Sequence, residues 1–220
     1  MKPIPPGDLI CMNDLTGCEP VTVDLVYARA DHPENVFKTA IYHERARLWL
    51  HKDLAAITIE TARRLNQHFG YTLVLKDGLR PVEAQAKVWE TDIMKAHPEW
   101  AERHLFARPG MGGHPRGMAI DVSVLCADGS PVDMGVPFDY FSEDPDVNPA
   151  ARDYTGFSES ILQNRRDLET AFIAAAESLD LPLYPLYSEW WDFRFPKDIA
   201  QQFAPIYDAD LPEHIRMMNT

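Results

Sequence analysis

The chain has 220 residues, a length that suits one large domain or two small ones. Its 45% hydrophobic and 25% charged residues are typical of an ordinary globular protein. The net charge of −13 argues against nucleic acid and anionic membrane surfaces as partners, because both attract clustered Lys and Arg. Neither a membrane-length apolar run of roughly 20 residues nor a secretory signal is visible. We therefore expect a cytoplasmic location, with the periplasm as the alternative.

The three cysteines, Cys11, Cys18 and Cys126, do not make a disulfide framework. Cys11 and Cys18 could pair or bind a metal, but no neighbouring His or second Cys pair completes a site. We therefore expect free buried thiols.

The first half of the chain predicts two strands and two helices. Residues 21–27 alternate apolar and polar side chains, as in a half-buried strand. Apolar residues then recur at helical spacing up to Gly70, which can end a helix; they are Leu54, Ile57, Leu65 and Phe69. A short strand over 72–75 follows. Asp77-Gly78 predicts a turn, and Pro81 suits the first turn of the next helix.

The middle of the chain predicts two long loops around one strand. Residues 98–113 are irregular and lead towards the candidate site. Residues 118–124 alternate as a strand, with the apolar set on one face and Asp121 on the other. The turn at 127–129 indicates a hairpin, and 131–149 is again loop-like.

The remaining elements complete an α+β fold. A long helix is marked by Ile161, Leu162, Leu168, Phe172 and Ala175, and the aromatic residues of 188–195 predict a strand. Helices and strands do not alternate regularly, so we expect a largely antiparallel central sheet flanked by helices. Residues 1–220 are taken as a single domain, with 1–20 as an N-terminal extension and 197–220 as a C-terminal tail.

His114 and Asp121 could provide two ligands of a zinc site. Zinc in a hydrolase takes about three protein ligands and leaves one position open. Gly112, Gly113 and Gly117 allow tight turns close to a metal. The pair alone is also consistent with a surface His beside a strand Asp.

Glu189 and Arg80 add groups suited to catalysis. A carboxylate among aromatic residues has its charged form disfavoured, which raises its pKa towards the range of a general base; the alternative is a Glu at a strand edge with its head in water. A guanidinium where a strand passes into a helix could stabilise an oxyanion. The alternative for Arg80 is an ordinary surface ion pair.

Five motifs in order are similar to those of a known family. They occupy residues 77–85, 114–121, 133–139, 163–166 and 189–193. The chain resembles the D-alanyl-D-alanine dipeptidases of the vancomycin-resistance type, which are zinc peptidases of the D,D-carboxypeptidase clan. The resemblance runs from about residue 21 to about residue 196.

This resemblance implies a role for each matching residue. His114 and Asp121 fall on two zinc ligands, and Glu189 falls on the base that moves a proton from water to the leaving amine. Arg80 falls on the residue that stabilises the tetrahedral transition state, and Asp139 on the group that holds the substrate's amino end. Tyr27 and Tyr42 fall near positions that line a closed dipeptide pocket. The implied activity is hydrolysis of D-Ala-D-Ala, with one Zn²⁺ per chain and a small dipeptide as the partner.

Two positions depart from the family pattern. Asp192 stands where the family has a third His ligand, and Gly112 stands where it has a Ser that helps hold the substrate's C-terminal end. A carboxylate can bind zinc, but it makes the site more neutral and favours other divalent ions such as Mn²⁺. Because Glu189 and Asp192 are three residues apart, a bend near 190–191 is needed for both to face one site.

Two alternatives stay open on these departures. Gly112 and the 98–113 loop could admit longer muropeptides and give a carboxypeptidase. Asp192 could pair with Arg194 instead of a metal, which would leave a non-catalytic relative that binds the peptide. The sequence does not determine the oligomeric state.

Overall fold

The computed structural model describes residues 1–98, 100, 107–142, 144 and 146–219. Its strands are β1 (Leu9–Cys11), β2 (Val21–Val23), β3 (Trp49–His51), β4 (Thr72–Asp77), β5 (Ala119–Leu125), β6 (Tyr184–Pro185) and β7 (Asp192–Arg194). Its helices are α1 (Lys52–Phe69), α2 (Val82–Trp89), α3 (Asp92–Ala96), α4 (Glu159–Ser178) and α5 (Lys197–Ala200).

The central sheet has the order β2-β4-β5-β7-β6 among the described residues. Only β2 and β4 run parallel within it, and the other neighbouring strands are antiparallel. Strands β1 and β3 form a separate antiparallel pair. The prediction of an α+β fold with a largely antiparallel sheet is confirmed.

The two long helices cover the sheet through their apolar faces. On α1, the residues Leu54, Ile57 and Leu65 are almost completely buried, and Gly70 ends the helix at φ 71°. The side chain of Ser158 caps α4, and Phe172 of that helix stacks on Phe193 of β7 with ring centroids 3.8 Å apart. Burying each such side chain contributes about 1.5–3 kcal/mol, which keeps β7 fixed against the core.

Several predicted boundaries differ from the structure. The strand that starts at residue 21 ends at Val23, and a 3-10 turn follows at Val26–Ala28. Asp77 belongs to β4 rather than to the turn, and Phe69 is exposed rather than part of the apolar face. The strand predicted over 188–195 is present only at Asp192–Arg194: turns occupy residues 187–188 and 190–191, so β7 begins at Asp192.

The prediction of a loop over 98–113 is only partly testable, because residues 99 and 101–106 lie outside the described residues. Residues 107–113 are irregular as expected, and α3 precedes them. The cysteines are free, as predicted, but Cys18 is exposed and Cys126 half-buried, so only Cys11 is a buried thiol.

Both ends of the chain pack against the body of the fold. Leu9 and Met12 near the N-terminus and Ile215 and Met217 near the C-terminus belong to the same buried apolar cluster. The backbone N–H of Ile206 donates to the carbonyl of Pro115, next to His114. The boundaries at residues 20 and 197 remain predictions. None of the helices within the described ranges is long and apolar enough to cross a membrane.

Candidate active site

Three carboxylates lie in register across three neighbouring strands. Asp77 of β4 pairs with Asp121 of β5, and Asp121 pairs with Asp192 of β7. An irregularity in the β4 register between Leu75 and Asp77 brings Asp77 into this row. All three carboxylates are buried, so the sheet concentrates negative charge at one level. Like charges on directly opposed strand positions are destabilising, and this row needs positive groups beside it.

His114 faces the row from a 3-10 turn that covers His114–Arg116. Its Nδ1 lies 2.8 Å from the carbonyl oxygen of Gly78, which can only accept a hydrogen bond, so Nδ1 carries the proton. This leaves Nε2 facing Asp121 Oδ2 and Asp192 Oδ2, at 3.5 Å from each. A Cβ at Gly113 would lie 2.8 Å from the carbonyl oxygen of Met118, which explains why a glycine precedes the histidine.

Two donor-atom distances around His114 fit a zinc ion. A tetrahedral centre with bonds of about 2.0–2.2 Å places its ligand atoms roughly 3.3–3.6 Å apart, and both measured Nε2–Oδ2 distances are 3.5 Å. Asp121 Oδ1 is buried without a hydrogen-bond partner among the described residues. The tautomer of His114 also leaves Nε2 free to bind a metal. The residues that would hold the ion are His114, Asp121 and Asp192.

Asp192 is also the partner of Arg194. Arg194 donates from Nε to Asp192 Oδ1 at 2.6 Å and from Nη2 to Oδ2. Burial opposes the charge on Asp192, but the guanidinium of Arg194 outweighs it and lowers the pKa of Asp192. The same pairing raises the pKa of Arg194. The ion pair expected as an alternative to metal binding is therefore present, and Oδ2 still faces His114.

Glu189 lies in the turn before β7, and its carboxylate lies close to those of Asp121 and Asp192. One carboxylate oxygen of each of Asp121, Glu189 and Asp192 lies within 4.8 Å of the other two. Burial and then the charge of Asp192 raise the pKa of Glu189 from 4.5 to about 7. Burial and then the charge of Asp192 also raise the pKa of Asp121 well above its usual range. The bend required between Glu189 and Asp192 is provided by this turn.

Arg80 is largely covered, with a side chain that is 11% exposed, rather than part of a surface pair. Its Nε and Nη2 donate to Asp77 Oδ2 at 2.8 and 2.5 Å, and Nη2 lies 3.7 Å from Asp121 Oδ2. The guanidinium carbon lies 5.3 Å from the ring centre of Tyr27. Although burial opposes its charge, Asp77 and other neighbours raise the pKa of Arg80, which fixes a permanent cation beside the carboxylates.

Asp139 is held in an uncommon backbone conformation, at φ 55°. The hydroxyl of Tyr27 donates to its Oδ2. Burial and then the charge of Glu189 raise the pKa of Asp139 well above its usual range. Asp139 therefore presents an acidic group to the cavity, with one oxygen oriented by Tyr27.

A cavity of about 570 Å³ joins these groups. Its described lining includes Arg80, His114, Asp121, Asp139, Glu189 and Asp192. Tyr27 and Tyr42 are fully buried and do not line it among the described residues; Tyr42 instead donates to Asp77 Oδ1 at 2.6 Å. Both tyrosines thus lie outside the cavity lining, where Tyr27 donates to Asp139 and Tyr42 donates to Asp77.

Sequence reasoning assigned no role to Asp77, although it bonds both Arg80 and Tyr42. The signal available was a carboxylate at the end of a strand, three residues before Arg80. Gln85 is a second residue to which the sequence assigned no role. It accepts from the N–H of Gly110 and donates to the carbonyl of Met111, which holds the loop beside the cavity.

Comparison with known proteins identifies the class of enzyme. Residues 15–216 match the peptidase M15 family model, described as D-ala-D-ala dipeptidase. The chain belongs to this family of peptidases. It is 32% identical over 192 residues to the D-alanyl-D-alanine dipeptidase of Escherichia coli K12, a match that covers 83% of this chain and 85% of the relative.

A solved structure, the L-Ala D-Glu endopeptidase ChiX of Serratia marcescens, matches with a TM-score of 0.40 at 13% identity. That match covers 69% of this chain and 84% of the other.

Proposed function

We propose that this protein is a zinc-dependent dipeptidase that hydrolyses D-alanyl-D-alanine. His114, Asp121 and Asp192 hold the ion, Glu189 is the general base, and Arg80 stabilises the oxyanion. The observation that carries the proposal is the position of His114 Nε2, 3.5 Å from both Asp121 Oδ2 and Asp192 Oδ2 in one cavity. Membership of the dipeptidase family supports the reaction and the substrate class.

A zinc ion in this position would supply Lewis acidity, which polarises a carbonyl group and makes a water molecule more acidic. Two carboxylate ligands would weaken that effect, because they neutralise more positive charge than one does. Arg194 counters this loss: by donating to both oxygens of Asp192 it draws charge away from that ligand. The pair presents less net negative charge than a free aspartate, closer to the neutral imidazole found in the family.

Glu189 is suited to proton transfer. Its pKa of about 7 lies near neutral pH, where a carboxylate can accept a proton and release it again. It takes a proton from the attacking water while the water oxygen bonds to the scissile carbonyl carbon. As the C–N bond breaks, Glu189 passes that proton to the leaving amine, and two amino acids result.

Arg80 and Asp139 position the two polar parts of the substrate. The guanidinium of Arg80 is held by Asp77 on one side, so it remains beside Asp121 as negative charge develops on the carbonyl oxygen. Asp139, oriented by Tyr27, accepts the substrate's amino group. A longer peptide chain would have to pass Asp139, and this supports a dipeptidase over a carboxypeptidase.

The test combines elemental analysis of the purified protein with hydrolysis of D-Ala-D-Ala. We expect about one zinc per chain, activity that a chelator removes, and recovery on adding zinc. A panel of tri- to pentapeptides should be poor substrates, whereas efficient release of D-Ala from them would indicate the carboxypeptidase. A zinc-replete protein that hydrolyses no dipeptide would contradict the proposal.

A further inference from the structure

The backbone conformation at Gly112 disfavours the serine that the family resemblance implies at this position. Gly112 has φ 85°, a conformation that residues with a side chain rarely adopt. The strain comes from the backbone rather than from crowding, since a Cβ there would meet only the Cβ of Ala107, at 3.4 Å. A serine would therefore be strained at this point of the loop. If the cavity binds a dipeptide, another group must recognise its terminal carboxylate.

Arg194 lines the cavity beside Gly112 and has hydrogen-bond donors to spare. Its Nε and one Nη2 hydrogen are used by Asp192. A guanidinium carries five N–H donors, and within the described part of the chain Nη1 donates no hydrogen bond. The side chain is 21% exposed and lines the cavity, and its pairing with Asp192 fixes the orientation of the guanidinium.

The other cations of the cavity are less suited to this task. Arg80 is directed at Asp77 and Asp121 and is assigned to the carbonyl oxygen. Lys197 and Arg108 are exposed, so water weakens their attraction to an anion. Arg194 alone among these four combines partial burial, a fixed orientation and free donors.

The polarity of the cavity gives the direction of the substrate. Asp139 also lines a neighbouring cavity that includes Phe138 and Tyr140. Gly112 and Arg194 line a different neighbouring cavity, of about 420 Å³. Its described lining shares no residue with the cavity that Asp139 lines beside Phe138 and Tyr140. Asp139 and Arg194 thus lie on different sides of the central cavity. A zwitterionic dipeptide whose amino end is at Asp139 would direct its carboxylate towards Arg194.

We propose that Arg194 is a specificity-determining residue that binds the C-terminal carboxylate of the substrate through its free Nη1 donors, in place of the absent serine. This inference rests on the proposed dipeptidase function. Asp192 then has two tasks, since it faces His114 and also holds Arg194 in place. The cavity of about 420 Å³ beyond Gly112 leaves space on this side of the carboxylate.

The experiment compares binding of D-Ala-D-Ala and its C-terminal amide by calorimetry, in zinc-loaded protein carrying Glu189→Gln so that no turnover interferes. We expect the acid to bind at least tenfold more tightly than the amide. Adding Arg194→Gln should reduce that ratio to about threefold or less. Lys197→Gln is the matched control, and its ratio should stay near that of the parent.

A merely structural role of Arg194 would weaken binding of acid and amide equally. An unchanged acid-to-amide ratio in Arg194→Gln would therefore overturn the inference, as would a larger loss of the ratio in Lys197→Gln. If Arg194→Gln does not fold, Arg194→Lys keeps a cation beside Asp192 but loses the guanidinium fork, and the ratio should still fall severalfold; an unchanged ratio would refute the proposal.

Absence of binding to the Glu189→Gln parent would also refute the role of Arg194. Dipeptide hydrolysis by the wild-type protein is measured separately. If the wild-type protein hydrolyses the dipeptide but the acid-to-amide ratio is unchanged in Arg194→Gln, only the role of Arg194 is rejected. If the wild-type protein hydrolyses no dipeptide, the proposed function itself is rejected.

Discussion

Asp121 lies directly opposite Asp192 across β5 and β7, so two buried carboxylates face each other at one point of the sheet. Their repulsion is reflected in opposite shifts: after burial, Asp192 is the main cause of the raised pKa of Asp121, whereas Arg194 helps to lower the pKa of Asp192. Arg194 compensates only one of the two. A divalent cation beside His114 would stabilise both.

Replacing Asp192 with His should increase zinc affinity at least tenfold. Imidazole is a favourable zinc ligand, and it would not be shared with Arg194. The measurement is a zinc titration by calorimetry with a competing chelator. Asp192→Asn is the matched control, and it should bind zinc at least tenfold more weakly than the wild type. Wild-type affinity in the Asn variant would exclude Asp192 as a ligand.

Glu189→Gln should lower kcat by about 10²–10⁴-fold, because glutamine cannot accept a proton from water. The zinc content should remain near that of the wild type, since three other residues are assigned to the ion. Steady-state hydrolysis of D-Ala-D-Ala and elemental analysis of the same sample check both statements. Activity within tenfold of wild type would rule out Glu189 as the base.

Asp139→Asn should raise KM for D-Ala-D-Ala more than it lowers kcat. The variant keeps the shape of the side chain but loses the carboxyl group, whose charged form a bound ammonium group would stabilise. Tyr27→Phe, which removes the hydroxyl that orients Asp139, should show a smaller effect in the same direction. Kinetics on D-Ala-D-Ala and on its N-acetylated form provide the comparison. Equal losses on the two peptides would mean that Asp139 does not recognise the amino group.

The metal-free protein should lose stability relative to Glu189→Gln as the pH rises from about 4.5 to about 7. Glu189 has its ordinary pKa of 4.5 in the unfolded chain and about 7 in the folded one, so the folded state keeps the proton longer. Ionising it in this window therefore favours unfolding, by about 1–2 kcal/mol for a partly exposed group. Urea unfolding of both proteins at several pH values measures the difference. A constant difference would show that the pKa is not raised.

The elements with strong periodicity were predictable, and six of the residues that the motifs singled out line one cavity, namely Arg80, His114, Asp121, Asp139, Glu189 and Asp192. The spacing of Leu54, Ile57 and Leu65 fixes one face of α1, and Gly70 ends that helix where expected. The motifs placed His114 and Glu189 among the functional candidates before any geometry was known. The short strands were harder to predict, because three residues contain too little alternation to separate a strand from a turn.

What the sequence did not show are the long-range pairings. Nothing local predicts that Asp77 lies beside Asp121, because their meeting depends on the β4–β5 register and its irregularity. The aromatic residues 190–191 suggested a strand, yet the tertiary requirement to bring Glu189 and Asp192 together favours a turn. For the same reason, Arg194 could be named as a partner of Asp192 but not placed beside Gly112.

The left-handed conformation of Gly112 also limits how this enzyme can be converted into a closer copy of its relatives. A single Gly112→Ser exchange would place a hydroxyl on a backbone that resists any side chain. Conversion therefore requires transplanting the whole segment 107–113, together with the contacts that Gln85 makes to Gly110 and Met111. We therefore expect substrate choice on this side of the cavity to depend on the loop as a whole, and engineering should exchange it as one unit.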